Sequence, residues 1–227
     1  MDGFALYLAF LIPPLVFGLL VQAYLKRTFA HNAQIEIGNG LSGAQVARAI
    51  LDANGLHDVP VEPSMGGALS DHYDPRKRSV HLSEPVFAGR SVSAAAVAAH
   101  ETGHAIQHAE RWAFMQLRSA MFPAVAFASS AWIWLLLAGA FLNMFGLIGI
   151  ALVLYALAVL FHFVTLPVEF DASKRAAVQL GNLGLVSAGE VGGVRQVLRA
   201  AALTYVAGAL AALSQLLYYA LVFLSNR

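Results

Sequence analysis

The sequence predicts a mainly α-helical membrane protein, in which about four transmembrane helices accompany one small α+β domain outside the lipid. Hydrophobic residues make up 59% of the 227 residues and charged residues only 12%. That charged share is about half of the roughly 25% that is usual in soluble domains. Three stretches, residues 3–25, 119–168 and 200–226, are long and nearly free of charge. Between the first two lies the only large polar block, residues 26–118.

Each apolar stretch has the length of one or two membrane crossings. A helix needs about 20 apolar residues to cross the hydrocarbon core, so residues 3–25 and 200–226 fit one span each. Residues 119–168 fit two spans, with a turn near residues 143–146. The first stretch lacks the basic start and the small-residue cleavage site of a secretory signal peptide, so we expect it to remain as a span.

Lysine and arginine lie almost entirely in two segments between the predicted spans. Residues 26–118 contain nine of them and residues 169–199 contain four. The positive-inside rule then places both segments on the cytoplasmic side of the inner, or cytoplasmic, membrane, with the N-terminus outside. We therefore expect five segments. Three contact membrane lipids: the span 1–25, the hairpin of two spans 119–168 and the span 200–227. Two are cytoplasmic: the domain 26–118 and the helical segment 169–199.

The formal net charge of +1 argues against a nucleic-acid partner held through its phosphates. There is no cysteine, which excludes disulfides, cysteine-ligated metal and a thiol nucleophile.

The polar block opens with an amphipathic helix that Ser42 caps and Gly55 ends. Residues 59–63 are extended, because a residue that precedes a proline avoids the helical region. The helix is expected to serve packing and to carry no chemistry.

Two short strands, residues 68–73 and 79–82, follow and are joined by a hairpin turn at residues 74–78. A second helix then begins at Ser91 or Ser93, and nothing in the sequence breaks it before Pro123.

This second helix contains the string His-Glu-Thr-Gly-His at residues 100–104. The four-residue spacing places His100 and His104 one turn apart on one face, where both imidazoles can bind one metal ion. A zinc ion with three protein ligands keeps one position for water and lowers the pKa of that water. Glu101, about 100° around the helix, could take the water's proton as general base and pass it to a leaving amine. The alternative is a helix surface with two histidines and no metal.

Glu169 is the best candidate for the third ligand. It is the first charged residue after the apolar hairpin, and two crossings return it to the membrane face of His100. A carboxylate at the membrane boundary is costly unless it is paired or binds a metal. Alternatively, Glu169 pairs with Lys174 or Arg175 at the start of a helix. His108 extends the stripe of His104, but one straight helix cannot place three ligands around one ion.

Asp171 has two open interpretations. It could accept a proton from a ligand imidazole and fix the tautomer of that ring, or it could cap the following helix. His162, inside an apolar stretch, is more typical of a packing or interfacial histidine.

Four strings of the sequence resemble one family, the YugP-type membrane zinc metallopeptidases: residues 69–76, 82–87, 98–107 and 166–173. The resemblance covers nearly the whole chain and implies one zinc ion and a zincin-like fold for the cytoplasmic domain. In layout the family is similar to the HtpX-like and prenyl-protein proteases, whose third ligand is a glutamate after a transmembrane hairpin. Those families place an aspartate four residues past the ligand, where this chain has Ser173. The role of Asp171 is therefore open.

The same analogy makes the strand at residues 69–73 an edge strand above the zinc, where an extended peptide could bind by β-augmentation. His72 or Tyr73 could then stabilise the oxyanion that forms during hydrolysis. The alternative is a hairpin whose Asp-Pro turn is purely structural.

The sequence thus predicts a gluzincin-like zinc endopeptidase, a hydrolase that acts on membrane or membrane-proximal proteins. The first alternative is a zinc-binding scaffold or chaperone-like protein without proteolytic activity. An intramembrane site-two-type protease should carry its histidines inside a span, yet only nine residues, 91–99, precede His100 in its helix. A transporter should have several ionisable residues in its spans, and His162 is the only one.

Overall fold

The structure is a computed structural model that describes residues 3–67 and 70–225. These residues form helices and a small sheet in the order α1 (Gly3–Asn32), α2 (Gly43–Ala53), β1 (Val61–Pro63), β2 (His72–Asp74), β3 (Ser79–Leu82), α3 (Glu84–Phe87), α4 (Val92–Ala109), α5 (Ala113–Phe141), α6 (Phe145–Asn182) and α7 (Val191–Ser225). The mainly helical architecture is confirmed.

Four of the described helices, α1, α5, α6 and α7, are long and apolar enough to cross a membrane. Their number agrees with the sequence prediction, but each extends beyond its apolar stretch. Helix α6, for example, continues to Asn182, because residues 168–180 contain no proline or glycine that would end it. Asn143, in the turn between α5 and α6, has a φ of 52°, a left-handed conformation that asparagine tolerates.

The chain divides into two compact units. One contains Leu117–Leu166 together with the chain up to Val21 and from Thr204 onward. Two of its polar side chains form hydrogen bonds between helices: the Tyr155 hydroxyl donates to Gln215 Oε1 at 2.8 Å, and Ser214 donates to the Phe10 carbonyl at 2.6 Å. Pairing of this kind is needed where no water is available to solvate polar groups.

The other unit contains Gln22–Gln116 and Pro167–Leu203 and includes the sheet, whose strand order is β1-β3-β2. Strand β1 is parallel to β3, and β2 is antiparallel to it. The predicted strand 79–82 and the hairpin turn are confirmed, with Asp74 Oδ1 accepting from the Arg76 and Lys77 amides. Strand β2 begins later than expected, at His72; residues 68 and 69 of the predicted strand lie outside the described residues.

Helix α2 begins as its sequence predicts. Ser42 accepts from the Gln45 amide, and the Gln45 side chain accepts from the Ser42 amide, which forms a capping box. Gly55 follows the helix with a φ of 71°, the left-handed conformation that favours glycine. Four apolar residues of α2 are fully buried in the core of this unit: Val46, Ala47, Ile50 and Leu51.

Helix α4 begins where Ser91 caps it, as one of the two predicted positions. The prediction that nothing breaks this helix before Pro123 is wrong, since α4 ends at Ala109. Arg111 adopts a φ of 53°, and the Trp112 amide closes the helix end on the Gln107 carbonyl at 3.0 Å. An arginine in the position usually held by glycine gives the sequence no visible stop signal. Pro123 lies inside α5 instead.

Gly103 allows α4 to pack closely against α6. A Cβ at this position would lie 2.7 Å from the Ala172 carbonyl oxygen and 3.1 Å from the Ala172 Cα. Both atoms belong to backbone, so the two helices would have to separate to accept it.

We therefore expect Gly103→Ala to destabilise the protein by about 1–3 kcal/mol, the usual cost of overpacking. The matched control is Gly181→Ala in α6, where an added Cβ meets no atom within 4 Å. This change should leave stability equal or raise it by up to about 1 kcal/mol. Thermal unfolding of the detergent-solubilised protein measures both, and equal stability of the two variants would contradict the close approach.

Candidate metal centre

His100 and His104 on α4 and Glu169 on α6 come together in the structure. Their ligand atoms all lie within 4.8 Å of one another. Glu169 Oε2 lies 3.2 Å from His100 Nε2 and 3.5 Å from His104 Nε2. Both imidazoles therefore direct the same kind of nitrogen at one carboxylate, which stands 69 positions after His100 in the chain.

The position of Glu169 follows from contacts on either side of it. The close approach of α6 at Gly103 involves Ala172, three residues after Glu169. The Gln107 side chain donates to the carbonyl of Val168, the residue before Glu169, at 2.8 Å. Helix α4 thus holds α6 at both ends of the turn that carries the carboxylate.

The burial of this group fits a metal ion. Glu169 is 1% exposed and His104 is 6% exposed. A buried carboxylate is costly unless a positive charge compensates it, and a metal ion held by the two imidazoles would provide one. Two imidazole nitrogens and one carboxylate oxygen also form a ligand set found in catalytic zinc sites, which leave a fourth position for water. Within the described residues, this is the one group of three such side chains with ligand atoms so close together.

Glu101 is buried at 8% exposure beside this group. Burial raises the pKa of Glu101 to about 7, while His100 lowers it and the Glu169 carboxylate raises it further. A carboxyl group in such surroundings is able both to accept and to return a proton near neutral pH.

The second nitrogen of each imidazole also has a partner. His104 Nδ1 lies 3.0 Å from Gln107 Oε1, and His100 Nδ1 lies 3.2 Å from Ser173 Oγ. Neither partner was predicted from the sequence. Gln107 does lie three residues after His104, so helical spacing alone could have suggested the contact.

Asp171, one candidate for the imidazole partner, contacts Gln107 and not a ligand imidazole. Its Oδ2 accepts from Gln107 Nε2 at 2.9 Å and from Arg175 Nε. The Ser173 hydroxyl contacts His100 instead. Position 173 is where the similar families place an aspartate. In this chain its serine hydroxyl is the partner of His100 Nδ1.

The other candidates lie on or next to β2. The Tyr73 hydroxyl forms a hydrogen bond of 2.8 Å with His108 Nδ1, so His108 contacts the sheet and is not one of the three clustered ligands. Burial raises the pKa of Tyr73 and lowers the pKa of His108. His72 is exposed and its ring stacks on His81, with 4.8 Å between the ring centroids.

Comparison with known proteins places the chain in a family. Residues 7–224 match the family described as "Putative neutral zinc metallopeptidase". The chain belongs to this zinc metallopeptidase family. The chain is also similar to the "Putative membrane protease YugP" of Bacillus subtilis (strain 168). The two are 49% identical over 206 residues, which cover 91% of each chain. No solved structure matches.

The family resemblance inferred from the sequence is thereby confirmed. Zinc is the metal that the family implies, and His100, His104 and Glu169 form the group able to hold it.

If Glu169 binds the metal, Glu169→Gln should weaken zinc binding by about 100-fold or more, since loss of outer partners alone typically costs 10–100-fold. Glu190→Gln is the matched control, because the Glu190 carboxylate accepts from the Gly38 amide, away from the cluster. Zinc per protein, measured by mass spectrometry after dialysis against a weak chelator, compares the variants. Full zinc retention by Glu169→Gln would remove it as a ligand.

Proposed function

We propose that this protein is a zinc-dependent endopeptidase that hydrolyses peptide bonds of membrane or membrane-proximal proteins. The convergence of His100, His104 and Glu169, with Glu101 buried beside them, is the observation that carries the proposal. Membership of a zinc metallopeptidase family supports it. We further propose that the unit containing α4 and the sheet is a zincin-like domain of the gluzincin type.

The chemistry divides between the metal and one carboxylate. His100, His104 and Glu169 would hold the zinc ion, which would supply a Lewis acid able to acidify water and polarise a peptide carbonyl. Glu101 accepts a proton from the water as its oxygen attacks the carbonyl carbon. When the carbon–nitrogen bond breaks, Glu101 donates this proton to the leaving amine. The burial of Glu101 keeps bulk water from competing for that proton.

The substrate that best fits the sheet is an extended segment of polypeptide. Strand β2 is at the edge of the sheet, and no described strand pairs with its outer side. An extended peptide could add to this edge through main-chain hydrogen bonds. His72 is the better of the two candidates for stabilising an oxyanion, because it is exposed while the Tyr73 hydroxyl already contacts His108.

The proposed location combines the apolar helices with the charge distribution. Glu169 lies on α6, a helix that is also long and apolar enough to cross a membrane. The similar protein from Bacillus subtilis is described as a membrane protease. The lysine and arginine distribution supports a cytoplasmic site and an external N-terminus.

Replacement of Glu101 tests the catalytic role. Glu101→Gln should lower the cleavage rate by about 10²–10⁴-fold, the usual contribution of a general base, while zinc content stays at the parent level. Glu84→Gln, an exposed carboxylate at the start of α3, is the matched control. Hydrolysis of casein and of a membrane-anchored reporter by purified protein is the measurement. A parent that binds zinc but cleaves neither would favour the scaffold or chaperone-like alternative.

Single cysteines test the orientation, because the natural chain has none. Met65, 99% exposed, precedes β2, and Met144 lies in the turn between α5 and α6. A membrane-impermeant maleimide should label Met144→Cys in spheroplasts and Met65→Cys only in inverted vesicles. The reverse pattern would place the metal centre outside the cytoplasm.

A further inference from the structure

Gln107 is a fully buried amide next to the metal centre. Its side chain is 0% exposed and contacts three groups: His104 Nδ1 at 3.0 Å, the Val168 carbonyl at 2.8 Å and Asp171 Oδ2 at 2.9 Å. A buried polar side chain is costly unless its hydrogen bonds are made, so these contacts determine how the amide is oriented.

The orientation of the amide determines which nitrogen of His104 carries a proton. The Val168 carbonyl and the Asp171 carboxylate can only accept, so both must face the NH₂ end of Gln107. The amide oxygen then faces His104 Nδ1 and can only accept, which requires a hydrogen on Nδ1. In the neutral ring, a hydrogen on Nδ1 leaves the lone pair on His104 Nε2, the nitrogen that lies 3.5 Å from Glu169 Oε2.

We propose that Gln107 is a positioning residue for metal binding. It holds His104 in the tautomer whose Nε2 can bind zinc, and it fixes Glu169 through the adjacent carbonyl of Val168. The proposal rests on the ligand assignment of the proposed function. In many metal sites a carboxylate accepts the second N–H of a ligand histidine, and here the neutral amide of Gln107 would do so.

Residues further out fix the amide in turn. Arg175 donates to Asp171 through Nε and to Glu110 through Nη1 at 2.7 Å. An arginine held between these two carboxylates fixes Asp171 so that its Oδ2 faces Gln107, since the guanidinium keeps its charge and its donors. A polar chain therefore extends from the end of α4 through α6 and back to His104.

His100 has no partner that fixes its tautomer in this way. Its Nδ1 contacts the Ser173 hydroxyl at 3.2 Å, and a hydroxyl can donate or accept. Ser173 is therefore compatible with either tautomer of His100. The two ligand histidines should differ in how strongly they depend on their outer partners, with His104 the more dependent.

The first test replaces the amide with an apolar side chain of similar size. Gln107→Leu should weaken zinc binding about 10–100-fold, the range typical for loss of an outer partner. Ser173→Ala should have a smaller effect. The matched control is Gln179→Leu. It removes another glutamine of the same unit, whose Nε2 donates to Asn54 Oδ1 at 3.0 Å. Competition with a chromogenic chelator measures the zinc dissociation constant of each variant. Thermal unfolding of the metal-free protein measures its stability separately.

A second test compares a charged variant with a double variant that restores the original net charge, and it does not depend on whether Gln107→Leu folds. Gln107→Glu alone places two carboxylates against each other at positions 107 and 171, so zinc binding should weaken. Adding Asp171→Asn places an amide NH₂ against the new carboxylate, which can still accept from His104 Nδ1. The Val168 carbonyl loses its donor in both variants, so their comparison tests the contact between positions 107 and 171. The double variant should bind zinc more tightly than Gln107→Glu alone.

A purely structural role predicts a different result. Gln107→Leu would then lower the unfolding temperature of the metal-free protein, as we expect of Gln179→Leu, and leave the zinc dissociation constant unchanged. That result would overturn the positioning role of Gln107 and leave the proposed function standing. A double variant that binds zinc no more tightly than Gln107→Glu would do the same. Failure of the unaltered protein to bind zinc would overturn this role together with the proposed function.

Discussion

The burial of Glu169 between two imidazoles is the constraint on which the rest of the centre depends. A carboxylate with 1% exposure has lost its hydration, and at this depth a nearby cation must replace it. The close packing at Gly103 and the bond from Gln107 to the Val168 carbonyl keep the carboxylate in place. Both contacts are specific to their positions, since one needs a residue without a Cβ and the other a buried amide.

The string at residues 71–74 positions the edge strand next to this centre. Asp71 accepts from the amide and hydroxyl of Ser83, which fixes the start of β2 against the end of β3. Tyr73 crosses to α4 and contacts His108. Asp74 closes the hairpin turn through two backbone amides. The string therefore has a structural explanation: it attaches the edge of the sheet to the helix that carries both histidines.

Features that depend on local spacing or composition could be predicted from the sequence. Hydropathy indicated four spans, and helical spacing placed His100 and His104 on one face. The end of α4 was missed because Arg111 takes a left-handed conformation without a glycine to signal it. Gln107 was missed because two of its partners lie on α6, more than 60 positions away. Spacing within one helix carries no information about such contacts.

A zinc-edge anomalous difference map of the crystallised, zinc-loaded protein tests the central claim most directly. We expect one peak about 2.0–2.2 Å from His100 Nε2, His104 Nε2 and a carboxylate oxygen of Glu169, the distances typical of zinc with nitrogen and oxygen ligands. A peak coordinated through Nδ1 of either histidine, or one without Glu169, would contradict this arrangement.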